Sequence, residues 1–165
     1  MAGESGVKPG SSTSTGFAAN VPGAGPSGAS GDFGAQILTD AAKYLGVPYR
    51  WGGADPSGFD CSGFVTWVLH HDLGLNLPDN THTVTGTFLY WSGALTVKSP
   101  LPGDLCCWGG HIGIYAGNGK MINAPHTGTV VQYSTVWTGV VYRRVLPQTV
   151  KFSDVPGTKK AGTAF

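Results

Sequence analysis

Three residues of this 165-residue chain have the types and order that thiol chemistry requires: Cys61, His111 and Asn123. Cys61 lies in Gly58-Phe59-Asp60-Cys61-Ser62-Gly63-Phe64. The spacing predicts that this segment opens a helix. Unpaired backbone N–H groups and the positive end of a helix dipole favour a thiolate at such a position. Gly63 leaves room for another segment to come close. The plainer reading is that Cys61 is a small buried hydrophobe, the commoner fate of a lone cysteine.

A thiol nucleophile needs a base, and the base needs a third group to orient it. His111 opens the run His111-Ile112-Gly113-Ile114-Tyr115, directly after Gly109-Gly110. Alternation sends Ile112 and Ile114 to the core and turns His111 to the other side. The next run, Lys120 to Ala124, follows a turn around Gly117-Asn118-Gly119. With an odd number of loop residues, Asn123 falls on the face of His111, one diagonal away; with an even number it falls on the wrong face. On the right face it accepts the ring N–H and holds the tautomer. His126, after Pro125, is the competing orienter and is expected in the loop beyond the strand.

Composition narrows the other possibilities. The only glutamate is Glu4, which removes HExxH-type metalloprotease chemistry from any folded core. The histidines and cysteines show no CxxC or HxxxH grouping, so no metal site and no cofactor is expected. His70, His71 and His82 read as surface or structural residues. Three cysteines cannot all pair, which defeats a disulfide scaffold; Cys106 and Cys107 read as core filler. A formal net charge of +1 gives no field toward nucleic acid. No apolar run approaches the length of a membrane span, and no secretory signal opens the chain.

The positioning elements follow from periodicity. Residues 1–31 are rich in Gly, Ser and Pro, with only Glu4 and Lys8 charged, and read as a flexible linker. The folded unit is expected at 32–146, with a tail at 147–165. Asp32 is expected to cap a helix carrying Phe33, Ile37, Leu38, Ala41 and Leu45, ended by Gly46 and blocked by Pro48. A second helix runs from about Cys61 to Leu73, burying Phe64, Val65, Val68 and Leu69. Short strands are predicted at 104–108, 111–116, 120–124, 129–133 and 140–145. Helices first and an antiparallel meander after them make an α+β domain. The aromatics Trp51, Trp67, Tyr90, Trp91, Trp108 and Trp137 are expected in the core and along a cleft wall.

Four segments, in order, carry a resemblance: Leu45-Gly46-Val47-Pro48-Tyr49-Arg50-Trp51-Gly52-Gly53, Asp60-Cys61-Ser62-Gly63-Phe64, Pro102-Gly103-Asp104-Leu105 and His111-Ile112-Gly113-Ile114-Tyr115. Together they resemble the NlpC-type cell-wall peptidases, papain-like cysteine endopeptidases acting on peptidoglycan stem peptides. The resemblance covers about residues 33–145. It implies a papain-like fold with N-terminal helices packed on a central antiparallel sheet of about five strands. By position it makes Cys61 the nucleophile, His111 the base and Asn123 the third polar residue, where the family often has His. It implies that Tyr49 lines an oxyanion site and that Asp60 and Ser62 contact a substrate amino group, with Trp51 beside them as a substrate-binding residue. The implied partner is the bacterial stem peptide, met outside the cytoplasm by a monomeric domain of a larger protein, a phage tail protein or a lysis enzyme. Two other classes stay open: a wall-binding module without turnover, and a thiol amidase or acyltransferase on another substrate.

Overall fold

The computed structural model describes residues 25–148, with side chains from residue 32 onward. The first helix, α1, is Gly25–Ala42. It begins ahead of Asp32, so Asp32 lies within the helix rather than capping it, and the expected linker ends sooner. Pro26 falls in the first turn, where its missing N–H would have no intrahelical partner anyway. Ile37 and Ala41 are buried as expected, whereas Leu45 lies past the helix end and is exposed. The parts of the expected linker and tail at 1–24 and 149–165 lie outside the described residues.

Two short strands, β1 (Ala54–Asp55) and β2 (Gly58–Phe59), form a small antiparallel hairpin. It leads into α2, Cys61–Thr66, which continues as a π-helical segment, Trp67–Asp72. The wider turn shows in the bond from the Leu73 N–H to the Val68 carbonyl, at 3.2 Å. Phe64, Val65, Val68 and Leu69 are fully buried along this element. A short helix, α3 (Thr85–Tyr90), follows, and β3 (Ala94–Val97) begins the main sheet. Sequence periodicity marked neither. The cap position of α3 is Val84, whose side chain makes no capping hydrogen bond, and β3 spans only a few residues.

The remaining strands are β4 (Leu105–Trp108), β5 (His111–Gly117), β6 (Lys120–Asn123), β7 (Gln132–Thr135) and β8 (Val141–Val145). In the labels used here the sheet order is β3-β8-β4-β5-β6-β7, antiparallel throughout. It has six strands where about five were expected, and it departs from a plain meander because β8 returns to pair with β4. The run expected as one strand at 129–133 divides between two partners. Its first part bonds back to the segment before β1, through Tyr49 N–H to the Thr129 carbonyl (2.9 Å) and Val131 N–H to the Val47 carbonyl (2.8 Å). Only Gln132 onward joins β6.

The two faces of the sheet have separate cores. Leu105, Cys107, Ile112, Ile114 and Ile122 pack with Phe59, Phe64, Val65, Val68, Leu69 and Ile37 under the helices. Cys106, Tyr115 and Met121 form a smaller cluster on the other face, against Trp108, Val136, Val140 and Tyr142. All three cysteines are free thiols, and Cys106 and Cys107 are fully buried, as filler should be. Trp51 (85 % exposed) and Tyr90 (83 %) do not belong to either core, because both sit at the outside of loops or helix ends. The ordered domain also runs past the expected boundary at residue 146. The Gln148 side chain accepts from the Asn76 N–H and donates to its carbonyl, both at 2.8 Å.

Candidate active site

Asp60 caps α2. Its Oδ1 accepts the Gly63 N–H at 2.7 Å, satisfying one of the helix's orphan donors. Cys61 is therefore held on the first turn. Gly63 has no side chain because the preceding loop occupies that space: a Cβ there would stand 1.9 Å from the Gly53 carbonyl oxygen. The loop that carries Tyr49 and Trp51 is thus pressed directly onto the turn that carries Cys61.

α2 packs against β5, and the backbone N–H groups of Ile112 and Ser62 lie near enough to the Cys61 sulfur to favour its charged form. Ile112 adjoins His111, so the thiol lies at the start of the strand that His111 opens. His111 itself is on the other side of β5 from Ile112 and Ile114, as alternation requires.

The orientation of the imidazole is determined by its partner. The His111 Nε2 and the Asn123 Oδ1 are 2.8 Å apart. The Asn123 amide nitrogen donates to the Gln132 carbonyl (3.2 Å) and to the Ser134 hydroxyl (2.8 Å). Those two acceptors assign the amide orientation, so Oδ1 accepts and His111 Nε2 carries the proton. Nδ1 is left with its lone pair. Asn123 is fully buried, and its carboxamide has a partner for both its nitrogen and its oxygen. His126 is elsewhere: it is exposed, with Nδ1 3.0 Å from the Thr127 carbonyl.

The electrostatics differ from the expected thiolate. Burial and the neighbouring Asp60 charge push the Cys61 thiol above its ordinary value, outweighing the N–H groups that point at it. Burial holds His111 below the usual imidazole value, with the Asn123 bond working the other way. Both groups are therefore neutral at rest near pH 7. Tyr49 is raised too, by burial first and then by Cys61 and Asp60. Its phenol therefore keeps its proton.

Sequence reasoning did not anticipate the environment of His82. Its Nε2 lies 3.0 Å from both Asp60 Oδ1 and Ser62 Oγ, tying the loop before α3 to the first turn of α2. One imidazole nitrogen serves both partners, so the trio is a brace and not a proton relay. Asp79 anchors the same loop by accepting the Thr81 and His82 N–H groups. A histidine in a polar loop carries no periodic signal that would have marked it. Among the described residues no cluster of three or more His, Cys, Asp or Glu side chains could hold a metal, and no helix is long and apolar enough to cross a membrane.

The chain is 38 % identical over 117 residues to the bifunctional muramidase/DL-endopeptidase CwlT of Bacillus subtilis, a match covering 66 % of this chain and 33 % of that protein. It is 35 % identical over 102 residues to the probable peptidoglycan endopeptidase LytE of the same organism, covering 58 % of this chain and 28 % of the relative. The chain thus spans about a third or less of these relatives' length. The crystal structure of the NlpC/p60 domain of the peptidoglycan hydrolase SagA superposes with a TM-score of 0.58 at 35 % identity, covering 68 % of this chain and 98 % of that domain. Residues 46–150 match the NlpC/P60 family across the segment holding Tyr49, Cys61, His111 and Asn123. This chain belongs to the NlpC/P60 family.

Proposed function

We propose that the domain is a cysteine endopeptidase that hydrolyses stem peptides of bacterial peptidoglycan, at the bond between γ-D-glutamate and the diamino acid. The observation that carries this reading is the 2.8 Å bond between His111 and Asn123, which leaves Nδ1 free to act as the base for Cys61, whose helix packs on the strand that His111 opens. The relatives' names, a DL-endopeptidase and a probable peptidoglycan endopeptidase, supply the substrate class.

In this reading the resting pair is neutral, so His111 acts as a general base during attack. The Cys61 sulfur bonds to the scissile carbonyl carbon as its proton passes to His111 Nδ1. The carbonyl oxygen becomes an oxyanion, stabilised by the Tyr49 hydroxyl and the Cys61 N–H. The imidazolium then returns the proton to the departing amine, and the C–N bond breaks to leave a thioester. Water adds to the thioester carbonyl with His111 again taking a proton, releasing the carboxylate product and the thiol. Asp60 and Ser62, with Trp51 beside them, meet the substrate's amino group. As part of a longer protein, the domain acts outside the cytoplasm, in a phage tail or a lysis system.

Digesting purified peptidoglycan and identifying the fragments by mass spectrometry tests the proposal. New amino groups on the diamino acid, absent with Cys61→Ala and unaffected by EDTA, are expected. Cleavage confined to sugar linkages, or activity lost to EDTA and restored by zinc, would overturn it.

A further inference from the structure

Trp137 comes from the connection between β7 and β8 and lies over the His111 ring. The ring centroids are 5.2 Å apart and the planes differ by 29°. Behind it stands Trp108 of β4, stacked on Trp137 at 4.0 Å and 18°. Trp108 also touches the edge of the imidazole, at 5.8 Å and 41°. Its indole N–H donates to the Thr138 carbonyl at 3.0 Å, so the residue next to Trp137 is tied to the strand that precedes His111. Trp137 keeps 46 % of its surface exposed and is absent from both cores. Its covered side is directed at His111 and Trp108.

We propose that Trp137 is a positioning residue for His111, its indole face keeping the imidazole in the Asn123-bonded orientation and stabilising the ring when it carries a proton. The inference rests on the reading of His111 as the base. The bond to Asn123 fixes one ring atom but still lets the imidazole pivot about that contact. A flat ring against its face removes the pivot and keeps Nδ1 aimed.

The second effect is electrostatic. His111 becomes a cation during attack in a half-buried place. The groups in contact with its ring are Asn123 from β6, Trp108 from β4 and Trp137, and Cys61 opens the helix packed against β5. Among these only Cys61 titrates, and it is losing its proton to the same ring. The negative face of an indole within about 6 Å of a cation supplies the stabilisation that no carboxylate provides here. Burial alone lowers His111, so the π face acts in the opposite direction.

The test compares Trp137, Trp137→Phe and Trp137→Leu. In a Cys61→Ala background, which removes the other titrating group, the His111 ring C–H is followed by NMR against pH and assigned with His111→Gln. Leucine keeps the apolar cover without the π face and should lower the midpoint by about half a pH unit, whereas phenylalanine should leave it nearly unchanged. With Cys61 present, Trp137→Leu should lower kcat by roughly 3- to 10-fold with KM little changed, and Trp137→Phe should recover most of that loss. A second measurement needs no Trp137 variant. Indole emission of a Cys61→Ala chain that also carries Trp67→Phe, which removes the indole stacked on His71, should fall as His111 gains its proton, because a stacked imidazolium quenches it, and His111→Gln should remove that pH dependence. Equal midpoints for all three side chains, an equal drop for Phe and Leu, or emission indifferent to His111→Gln would overturn the proposal. A midpoint shift found together with no peptide hydrolysis in any chain would instead reject the endopeptidase reading and leave the Trp137–His111 interaction standing.

Discussion

Asn123 faces His111 because Ala116 has no partner across the β5–β6 hairpin. Ile114 pairs with Ile122 and Tyr115 with Met121, but Gly117 pairs with Lys120, so one residue is extra on β5. Had the Gly117–Lys120 register continued, Asn123 would stand opposite Ile114 and point into the helix-covered core. The bulge moves it opposite Gly113, on the face of His111. Gly113 leaves the space that this arrangement needs. A Cβ at that position would lie 2.6 Å from the Met121 sulfur and 3.1 Å from the Asn123 Cβ.

Asn123→Ala should therefore lower kcat for wall-peptide hydrolysis on the order of 10- to 100-fold without abolishing it. The thiol, the base and the oxyanion donors all remain, and only the restraint on the imidazole is lost. His126→Ala should stay within about twofold of the parent, since its ring bonds only within its own exposed loop. A His126 variant more damaging than the Asn123 variant would contradict the assigned hairpin register.

The raised Cys61 thiol gives a second expectation. Iodoacetamide should label the folded chain at Cys61 alone, with a rate that keeps climbing with pH beyond the ordinary thiol range. Cys106 is pushed upward by burial and then by Cys107 and Asp104, and Cys107 is pushed up to about 12 by burial, so both stay protonated and covered. Unfolding in guanidinium should make all three equally reactive. Mass-mapped labelling with a plateau near pH 6 would show instead that Cys61 rests as a thiolate paired with an imidazolium.

What could be read in the sequence was whatever depended on local period. The Ile112/Ile114 alternation placed His111 off the core, and the spacing of Phe64, Val65, Val68 and Leu69 placed Cys61 on a first helical turn. The parity of the hairpin loop could not be read, because a bulge at Ala116 leaves no mark in composition; the same residues fit either register. Tertiary choices were hidden for the same reason. The run 129–133 looked like one strand, yet Thr129 and Val131 bond to the Tyr49 segment while Gln132 joins β6. The charge state of Cys61 depended on two opposed effects, burial and helix-terminal donors, whose balance exists only once the chain is packed. His82 and Trp137 reach the site from loops, where no periodicity announces a direction.

Asp40 offers a test of stability away from the site. It is buried on α1, with Lys43 on one oxygen at 2.6 Å and the other oxygen lacking any donor. Burial first, and then the neighbouring Asp72 carboxyl, raise it to about 6. Asp72 shifts the opposite way: although its own burial works against ionisation, the neighbouring Asp40 and the bonds from Tyr44 and His71 hold it below the usual carboxylate range. Asp40 therefore holds its proton more tightly than Asp72 does, where α1 meets the π-helical end of α2. Because Asp40 binds its proton more tightly folded than unfolded, its contribution is complete below about pH 4 and is lost as pH rises through about 6. Asp72 has the reverse sign: its contribution is present above the unfolded carboxylate value and is lost only on further acidification. Asp40→Asn keeps a neutral side chain in that buried place at every pH. The variant should be more stable than the parent by on the order of 1–2 kcal/mol at pH 7–8, with the advantage shrinking to nothing near pH 4. Losing the ion pair with the exposed Lys43 should offset only a small part of this. Denaturant midpoints measured from pH 4 to pH 8 decide it: parallel curves for the two proteins would show that Asp40 is not raised in the fold.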